Sequence, residues 1–291
     1  MPETVHLAIA VNDRFAEPAA VMLYSLFART QSPVCVHLLC QSLSRKNRAR
    51  LRRMTERFGQ SFEEIPIDAD CFRDASLADN TMYSVEIYYR ILIPYLIPAK
   101  KVLWLDADLV LTGDVAALYE TDLMDAYCAA VTDIGEEQHR RDEIKAAMGI
   151  TSTYFNSGVL LLHAEKIRRE IPREDFFAAV RRFSALLTCP DQDILNYMFR
   201  DRAKILPKWY NDQHHLDEQG SRDSLIVHYI WMKPWDARYS GKLGDLYWEN
   251  AKKAGFSASR LRYRARRFWH IAKTEYLPRI KRILPGKRRQ P

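Results

Sequence analysis

Long hydrophobic runs are absent from this 291-residue chain. The longest apolar candidate, residues 91–99, is well short of the roughly 20 residues that a membrane-spanning helix needs, and Pro94 and Pro98 interrupt it. The N-terminus has neither a basic region nor a cleavage-like site before the apolar run Leu7 to Val11. We therefore expect no signal peptide and no transmembrane helix, and we expect the run from Leu7 to form a first strand.

Cysteine is scarce, and its few residues are scattered without the short spacings typical of metal sites. An odd, scattered set is typical of reduced thiols in a cytoplasmic protein, and it argues against metal binding by cysteine. The five residues are Cys35, Cys40, Cys71, Cys128 and Cys189.

Excess positive charge is confined to the C-terminal segment. Residues 260–291 contain twelve Lys or Arg and one acid, Glu275, whereas the rest of the chain contains 32 basic and 36 acidic residues. A protein that binds nucleic acid over its whole surface would spread its basic residues, so the mildly acidic body argues against that class. The overall composition, 47% hydrophobic and 28% charged, is typical of a globular protein.

Strand and helix signals alternate along the first half of the chain, which predicts an α/β fold with a largely parallel sheet. The composition changes only near residues 255–260, and no repeats or linkers are present, so we predict one domain over residues 1–256 and a tail over 257–291. The predicted strands are 5–11, 34–40, 62–67, 101–110, 127–133, 155–163 and 225–230. The predicted helices are 17–29, 44–59, 84–97, 164–187 with a break at Pro172, and 191–200.

Two carboxylates, Asp106 and Asp108, interrupt the hydrophobic segment "KVLWLDADLV" at the end of a predicted core strand. Buried charge is unfavourable unless it is paired, and ligands of open α/β sheets gather at the carboxyl ends of strands. Residues i and i+2 of a straight strand share a face, so both carboxylates would reach one Mg²⁺ or Mn²⁺ ion. The tripeptide also fits a simpler arrangement, in which one Asp caps the next turn and the other pairs with a surface Lys.

Two chemistries fit this pattern of carboxylates. In nucleotide-sugar transfer the aspartates hold a metal against a diphosphate. In a haloacid-dehalogenase-type phosphatase, whose D-x-D-x-[TV] pattern Val110 would complete, Asp106 would be the nucleophile and Asp108 a general acid. The phosphatase motif belongs on a first strand, whereas at least three predicted strands precede it here, so sugar transfer is favoured.

Four further segments, together with "LDAD", form an ordered set of motifs. The set resembles the retaining family 8 glycosyltransferases of GT-A fold, which include bacterial lipooligosaccharide galactosyl- and glucosyltransferases and glycogenin. The resemblance spans about residues 5 to 236. The segments are "YYRILIPYL" with Arg90, "YFNSGVLLL" with Asn156, "PDQDILN" with Asp191 and Gln192, and "VHYIWMKPW" with His228 and Lys233.

This resemblance implies a Mn²⁺ site, with Mg²⁺ as the alternative ion, formed by Asp106, Asp108 and His228. It also implies a UDP-sugar donor whose diphosphate would fill the remaining metal positions and would bind Lys233 as a point charge. Metal and lysine together would neutralise the charge that develops on the departing UDP. The nucleotide-binding half would lie at about residues 1–110 and the acceptor half at about 111–256.

The resemblance further implies a donor-binding set in which Arg90 reaches the diphosphate and the sugar, while Asn156, Asp191 and Gln192 hold sugar hydroxyls. Gln192 matches the position closest to the anomeric carbon, and both it and Asp191 are candidate catalytic residues. Because an amide is a poor nucleophile, we expect front-face attack by the acceptor hydroxyl, with Asp191 as the nucleophile of the alternative double displacement. The full donor-binding set is Ala10, Asn12, Arg14, Arg90, Asp106, Ala107, Asn156, Asp191, Gln192 and Lys233.

Two segments depart from the family pattern. After the first strand, Asn12 and Arg14 replace the acid and amide of "A-x-D-x-N-Y", which hold uridine and ribose; uridine remains the expected base. The segment "HYIWMKPW" is one residue shorter than the usual motif and has Trp231 in place of the glycine region, which should reshape the acceptor mouth. Asp133 matches a position near the acceptor. These departures leave open a non-catalytic glycan- or membrane-binding relict.

The pattern of apolar and basic residues in the tail predicts an amphipathic helix, and its aromatic residues suit an anionic membrane surface. A nucleic-acid-binding arm and a solvated terminus are the alternatives, and we expect no nucleic-acid partner. With the family resemblance, the tail predicts a peripheral enzyme on the cytoplasmic face of a bacterial membrane. It would transfer galactose or glucose to a lipopolysaccharide core or another lipid-linked glycan. The apolar residues are Leu261, Ala265, Phe268, Ala272, Tyr276, Ile280 and Ile283, and Pro278 would end the first helix.

Overall fold

The computed structural model describes residues 2–41, 43–72 and 84–271 of the chain. Within these residues a seven-stranded sheet lies between two hydrophobic clusters, and a two-stranded sheet packs beside it. In spatial order the large sheet contains β3 (Ser61–Pro66), β2 (Val34–Cys40), β1 (Val5–Ala10), β4 (Val102–Leu105), β7 (Val159–Leu162), β6 (Cys128–Val131) and β8 (Ala203–Leu206). The small sheet pairs β5 (Leu109–Leu111) with β9 (Ile226–His228).

The large sheet is mixed but mainly parallel, as predicted. Strands β3, β2, β1 and β4 run parallel to one another, and β8 is parallel to β6. Strand β7 is antiparallel to both of its neighbours, β4 and β6. Every residue of β2 is buried, as the continuous apolar run "VCVHLLC" predicts for a strand covered on both faces.

Helices cover both faces of the sheet. Residues of α1, α2 and α10 contribute to one hydrophobic cluster, and residues of α7, α8 and α9 contribute to the other. The helices are α1 (Ala16–Phe27), α2 (Arg45–Glu56), α3 (Ile93–Leu96), α4 (Ala116–Tyr119), α5 (Ile134–Glu137), α6 (Asp142–Met148), α7 (Ala164–Glu170), α8 (Arg173–Phe183), α9 (Pro190–Met198), α10 (Gly244–Lys253) and α11 (Ser257–Ile271). Short 3₁₀ segments are Ala69–Phe72, Val85–Leu92 and Lys208–Tyr210.

Local sequence signals account for several helix ends. The hydroxyl of Ser44 accepts a hydrogen bond from the Asn47 backbone N–H at 3.4 Å, which confirms the predicted N-cap of α2. Gly59 follows that helix with a φ of 68°, a left-handed conformation that glycine adopts without strain. The predicted interruption at Pro172 separates α7 from α8.

Two predicted elements were wrong in detail. The strand predicted over 101–110 stops at Leu105, and the chain crosses to the small sheet, where β5 begins at Leu109. Asp106 and Asp108 therefore lie in the turn between two sheets and not on one straight strand. The helix predicted over 84–97 is a 3₁₀ segment followed by α3, with Pro94 in the first turn, where a missing N–H is tolerated.

The structure also contains elements that lay outside the predicted ones, among them β8 and α10. In α11 the predicted tail helix is present as far as Ile271, and its remaining predicted residues, including Tyr276 and Pro278, lie outside the described residues. None of the described helices is both long enough and apolar enough to cross a bilayer. All five cysteines are free thiols.

Candidate active site

The topology brings distant segments to one edge of the large sheet. Asp106 follows β4, and because Leu105 pairs with Val159 of the antiparallel β7, the residues just before β7 lie beside it. The backbone N–H of Asp106 donates to the Gly158 carbonyl at 2.8 Å. Strand β6 ends at the same edge, since it is antiparallel to β7, and Asp133 follows it. Sequence separation therefore gives no measure of distance within the site.

Asp106, Asp108 and His228 bring ligand atoms within 4.8 Å of one another, as predicted for a metal site. Nε2 of His228 lies 3.4 Å from Oδ1 of Asp108 and 3.9 Å from Oδ2 of Asp106. Pairing of Leu109 with His228 in the small sheet produces this approach. Two carboxylates with one imidazole suit Mn²⁺ better than Mg²⁺, so the residues present fit a divalent cation of that kind.

The orientation of the His228 ring is set by an amide that the sequence motifs did not indicate. Nδ1 of His228 lies 2.9 Å from Oδ1 of Asn211, and Nδ2 of Asn211 donates to Oδ1 of Asn156 at 2.9 Å. With Nδ1–H donating to the amide oxygen, the lone pair on Nε2 faces the two carboxylates, as a metal ligand requires. Asn211 lies in a stretch without a recognisable motif, so no sequence signal pointed to it.

Lys233 reaches into the same cluster. Its ammonium group binds the Asp108 carboxylate and the carbonyl of Tyr229, the latter at 2.5 Å. Burial of Asp108 raises its pKa, but the positive charge of Lys233 and the contact with the His228 ring together outweigh burial and hold the pKa well below its ordinary value. Asp108 is therefore ionised at neutral pH and carries a cationic partner.

Arg90 organises the opposite side of Asp106. Its buried guanidinium lies 3.0 Å from Oδ1 of Asp106 and 3.0 Å from Oδ2 of Asp191. It also donates to the backbone oxygen and hydroxyl of Ser157, at 2.6 and 2.9 Å, and lies over the Trp104 ring at 4.6 Å. Because Trp104 Nε1 donates to the same Oδ1 at 2.9 Å, Asp106 presents its other oxygen to the metal cluster.

Asp191 is the second residue of α9 and is buried. The Ser157 hydroxyl donates to its Oδ2 at 2.9 Å. Burial raises the pKa of Asp191 to about 6; Arg90 opposes this shift and the neighbouring charge of Asp106 reinforces it. The carboxylate is thus held between the Arg90 guanidinium and the Ser157 hydroxyl.

Gln192, Asn156 and Asp133 form one buried hydrogen-bonded network. Oε1 of Gln192 accepts from the Ser157 backbone N–H at 3.0 Å and from Nδ2 of Asn156 at 3.1 Å, while its Nε2 donates to Oδ2 of Asp133 at 3.1 Å. Oδ1 of Asp133 accepts from Arg141 Nε at 2.9 Å. Asp133, which was predicted near the acceptor, is 3% exposed, and both of its oxygens are engaged in this network.

Asn12 and Arg14 lie at the end of β1, next to Ala10, its last residue. Oδ1 of Asn12 accepts from the backbone N–H groups of Arg14 and Phe15, at 3.1 and 3.4 Å, just before α1. Its Nδ2 donates to Ser84 Oγ at 3.3 Å. Both polar ends of the Asn12 side chain are therefore bonded within the protein, and the exposed guanidinium of Arg14 lies 5.9 Å from the Phe15 ring centre.

Trp231 follows His228 in the shortened loop and has a φ of 54°, the left-handed region that glycine favours. Its side chain is 51% exposed, and the Arg140 guanidinium lies 5.1 Å from its ring centre. Trp231 stands where the family pattern has a glycine region. It keeps a backbone conformation that glycine favours, and it exposes a large aromatic side chain.

Gly158 is a second residue whose role in the site the sequence motifs did not indicate. A Cβ at this position would lie 2.2 Å from Cε1 of His228 and 3.0 Å from Oδ2 of Asp106. Only glycine leaves room for the imidazole here. The motif "YFNSGVLLL" contained this glycine, but the motif gave no sign that Gly158 lies against His228, the last residue of β9 in the small sheet.

Known proteins share both the sequence and the fold of this chain. The model of the family described as "Glycosyl transferase family 8" matches residues 6–238. The chain is 28% identical over 251 residues to lipopolysaccharide 1,2-glucosyltransferase of Escherichia coli, covering 80% of this chain and 74% of that protein. It is 27% identical over 251 residues to lipopolysaccharide 1,3-galactosyltransferase of Salmonella typhimurium, covering 79% and 72%. The crystal structure of galactosyltransferase LgtC with donor and acceptor sugar analogues superposes with a TM-score of 0.75 at 23% identity, covering 86% of this chain and 96% of LgtC.

Proposed function

The chain belongs to glycosyl transferase family 8, and from that membership we propose that it is a retaining transferase. It moves a hexose, galactose or glucose, from a UDP-sugar to a glycan acceptor. The observation that carries this proposal is the convergence of Asp106, Asp108 and His228 within 4.8 Å beside Lys233, at the carboxyl edge of the sheet.

In the proposed reaction, Asp106, Asp108 and His228 hold Mn²⁺, or Mg²⁺ in its place. When bound, the ion supplies positive charge beside the diphosphate of the departing UDP. Lys233, which now binds Asp108, moves its ammonium group to the diphosphate and adds a second positive charge there. Ala107, 9% exposed between the two aspartates, leaves space for the donor.

The donor sugar contacts Arg90, Asn156, Asp191 and Gln192. Asp191 is held by Arg90 at 3.0 Å and by Ser157 at 2.9 Å, which lowers its reactivity as a nucleophile and supports front-face attack. In this route the acceptor hydroxyl attacks the anomeric carbon while the phosphate leaves and takes its proton. Gln192 positions the sugar through its amide, whose own orientation is set by Asp133.

The acceptor enters beside Trp231, whose exposed ring forms an apolar surface suited to the face of a sugar. Asp133 acts on the acceptor side only indirectly, since its oxygens bind Arg141, Asn156 and Gln192. The relatives named as lipopolysaccharide glucosyl- and galactosyltransferases support a lipopolysaccharide core, or another lipid-linked surface glycan, as the acceptor.

An acceptor of this kind places the enzyme at the cytoplasmic face of a bacterial membrane. Helix α11 supports this location, because Leu261, Phe268 and Trp269 are 67%, 68% and 70% exposed among its basic residues. Helix α2 adds to the basic surface: a cleft between α2 and the start of α11 is lined by four arginines, Arg50, Arg53, Arg57 and Arg262, together with Glu17. Anionic lipid headgroups would be attracted to both helices.

The two other hypotheses are disfavoured. The phosphatase motif belongs after a first strand, whereas Asp106 follows β4, the fourth strand along the chain. A relict would be expected to have lost ligands, whereas the metal cluster has its two carboxylates and its imidazole, and Asn211 orients that imidazole.

The test of the proposal is UDP release from UDP-galactose and UDP-glucose, with and without Mn²⁺. We expect slow hydrolysis of one donor that depends on Mn²⁺, disappears in Asp108→Ala, and persists in Asp114→Ala, a matched carboxylate on the same segment. If neither donor is hydrolysed and UDP with Mn²⁺ fails to raise the Tm, the proposal is wrong.

Membrane association is tested separately by flotation of the full chain with vesicles. We expect binding to anionic vesicles, no binding to zwitterionic ones, and loss of binding when Phe268 and Trp269 are both replaced by Ser. A wild-type chain that does not float with anionic vesicles contradicts this part of the proposal and leaves the transferase reaction unaffected.

A further inference from the structure

A second cluster of metal-binding side chains lies on the large sheet, away from the active site. In the parallel pair β1–β2, His6 is in register with Cys35, and His37 follows on the same face of β2. The ligand atoms of these three residues lie within 4.8 Å of one another. His6 and Cys35 lie near the start of their strands and His37 lies at the middle of β2, whereas the active site lies beyond the carboxyl ends of the strands.

The two histidines are already arranged around a common point. Nδ1 of His6 lies 3.0 Å from Nε2 of His37, and the rings stack with centres 5.3 Å apart and planes 19° apart. His37 is 3% exposed and Cys35 is 7% exposed, while His6 is half-buried and open to solvent on one side. The cluster is thus enclosed on the protein side and accessible to an incoming ion.

Glu63 on β3 supplies the outer contact that a metal-binding histidine usually has. It is in register with His37 on the neighbouring strand, and its Oε2 lies 3.1 Å from Nδ1 of His37. The pair is close but not aligned as a hydrogen bond. Once the ring turns into alignment, the carboxylate would hold the proton on Nδ1 and direct the Nε2 lone pair toward His6 and Cys35. Metal-bound histidines in proteins are held by this kind of carboxylate contact.

We propose that His6, Cys35 and His37 bind Zn²⁺, with Glu63 orienting His37 and the fourth position open to water. One thiolate with two imidazoles is a ligand set that zinc accepts in tetrahedral sites, whereas Mn²⁺ prefers oxygen. Binding converts the Cys35 thiol to a thiolate and releases its proton to solvent. Zn²⁺ bound here links β1 to β2 and, through Glu63, to the edge strand β3.

The cysteine spacing in the sequence argued against such a site. Cys35 and His37 are separated by one residue, which is too weak a pattern to notice, and His6 is distant in sequence. The parallel pairing of β1 with β2 brings the three together. The chain would then bind two ions with different ligand chemistry: Mn²⁺ at an oxygen-rich site beyond the end of β4, and Zn²⁺ at a nitrogen–sulfur site on β1 and β2.

The experiment is a Co²⁺ titration of the metal-free full chain, followed by absorption spectroscopy. We expect a thiolate-to-cobalt charge-transfer band that saturates at one equivalent and disappears when Zn²⁺ is added. The band should be absent in Cys35→Ser and present in Cys40→Ser, a buried cysteine on the opposite face of the same strand. It should also persist in Asp108→Ala, which separates this site from the active site.

A second variant keeps the proposal testable if Cys35→Ser does not fold. His6→Ala changes a half-buried position, and we expect it to fold but to lose the increase in Tm that Zn²⁺ produces in the wild type. The absence of a thiolate band in the wild type, or a band that survives in Cys35→Ser, would show that His6 and His37 form a hydrogen bond only and would overturn the proposal.

Discussion

Asn211 and His228 are joined by a hydrogen bond of 2.9 Å between Oδ1 and Nδ1, and this bond determines which imidazole nitrogen faces Asp106 and Asp108. Asn211 contacts no carboxylate of the cluster in the described structure, yet the cluster depends on it for the histidine tautomer. The same amide also donates to Asn156, so it connects the cluster of Asp106, Asp108 and His228 to the hydrogen-bonded network of Asn156, Gln192 and Asp133.

Replacing Asn211 by Ala should lower the affinity for Mn²⁺ by about 10- to 100-fold, because His228 would keep its position but lose the partner that fixes its tautomer. Calorimetric titration of Mn²⁺ in the presence of UDP measures this change. Asn250→Ala is the matched control, since Asn250 is also a buried asparagine but lies on α10. Equal Mn²⁺ affinities in wild type and Asn211→Ala would refute the orienting role.

Replacing Gly158 by Ala should abolish metal-dependent activity while the fold is retained. The new Cβ would lie 2.2 Å from the His228 ring, so the ring must move away from the carboxylates. We expect at least a tenfold loss of Mn²⁺ affinity, equivalent to about 1.4 kcal/mol. Gly59→Ala is the control, because its Cβ would meet nothing within 4 Å although its φ is 68°. Normal Mn²⁺-dependent hydrolysis by Gly158→Ala would contradict the packing argument.

Replacing Trp231 by Gly should separate acceptor use from donor use. The left-handed backbone costs a non-glycine residue about 1–2 kcal/mol, so its relief should offset the lost Arg140 contact and leave the free energy of unfolding within about 1 kcal/mol of wild type. The KM for the acceptor should rise several-fold, whereas hydrolysis of the donor should not change. Trp209→Ala is the control, since Trp209 is also 51% exposed. Changed donor hydrolysis in Trp231→Gly would place this residue in the donor site instead.

The stability difference between the wild type and Asp191→Asn should depend on pH. Burial raises the pKa of the folded-state carboxyl to about 6, above its ordinary value of 3.8, so the folded protein holds a proton that the unfolded chain has released. The wild type therefore loses stability relative to the variant as pH rises from 4 to 7, by about 2 to 3 kcal/mol. Urea unfolding of both proteins at several pH values in this range measures the difference. A difference that does not change with pH would show that Asp191 is not desolvated as described.

Much of the fold could be predicted because strand and helix periods are local. The run from Val34 to Cys40 has the bounds expected of a buried strand, and Ser44 caps the helix that follows it. The break between β4 and β5 could not be predicted, because Leu109 is apolar and continues the strand pattern across Asp106. The chain changes direction after Leu105, and only the pairing of Leu109 with His228 in the small sheet shows this.

The residues of the candidate site also fall into a group that the sequence could indicate and a group that it could not. The residues of the ordered motifs, such as Asp106, Asp108 and His228, could be recognised because their types and order carry chemistry. Asn211 and Gly158 could not, because an orienting amide and a missing side chain have meaning only beside the ring that they contact. Both contacts join His228 to segments that are distant in sequence, so no local sequence pattern predicts them.

The hydrogen-bonded path from Arg141 through Asp133, Gln192, Asn156 and Asn211 to His228 has an evolutionary consequence. Each of these residues is a partner of the next, so a single replacement leaves a neighbour with an unsatisfied buried polar group. Changes of sugar preference that pass through this path should therefore be epistatic, with paired substitutions tolerated where either one alone is deleterious. Relatives that use different hexoses should differ here in groups of residues and seldom at one position.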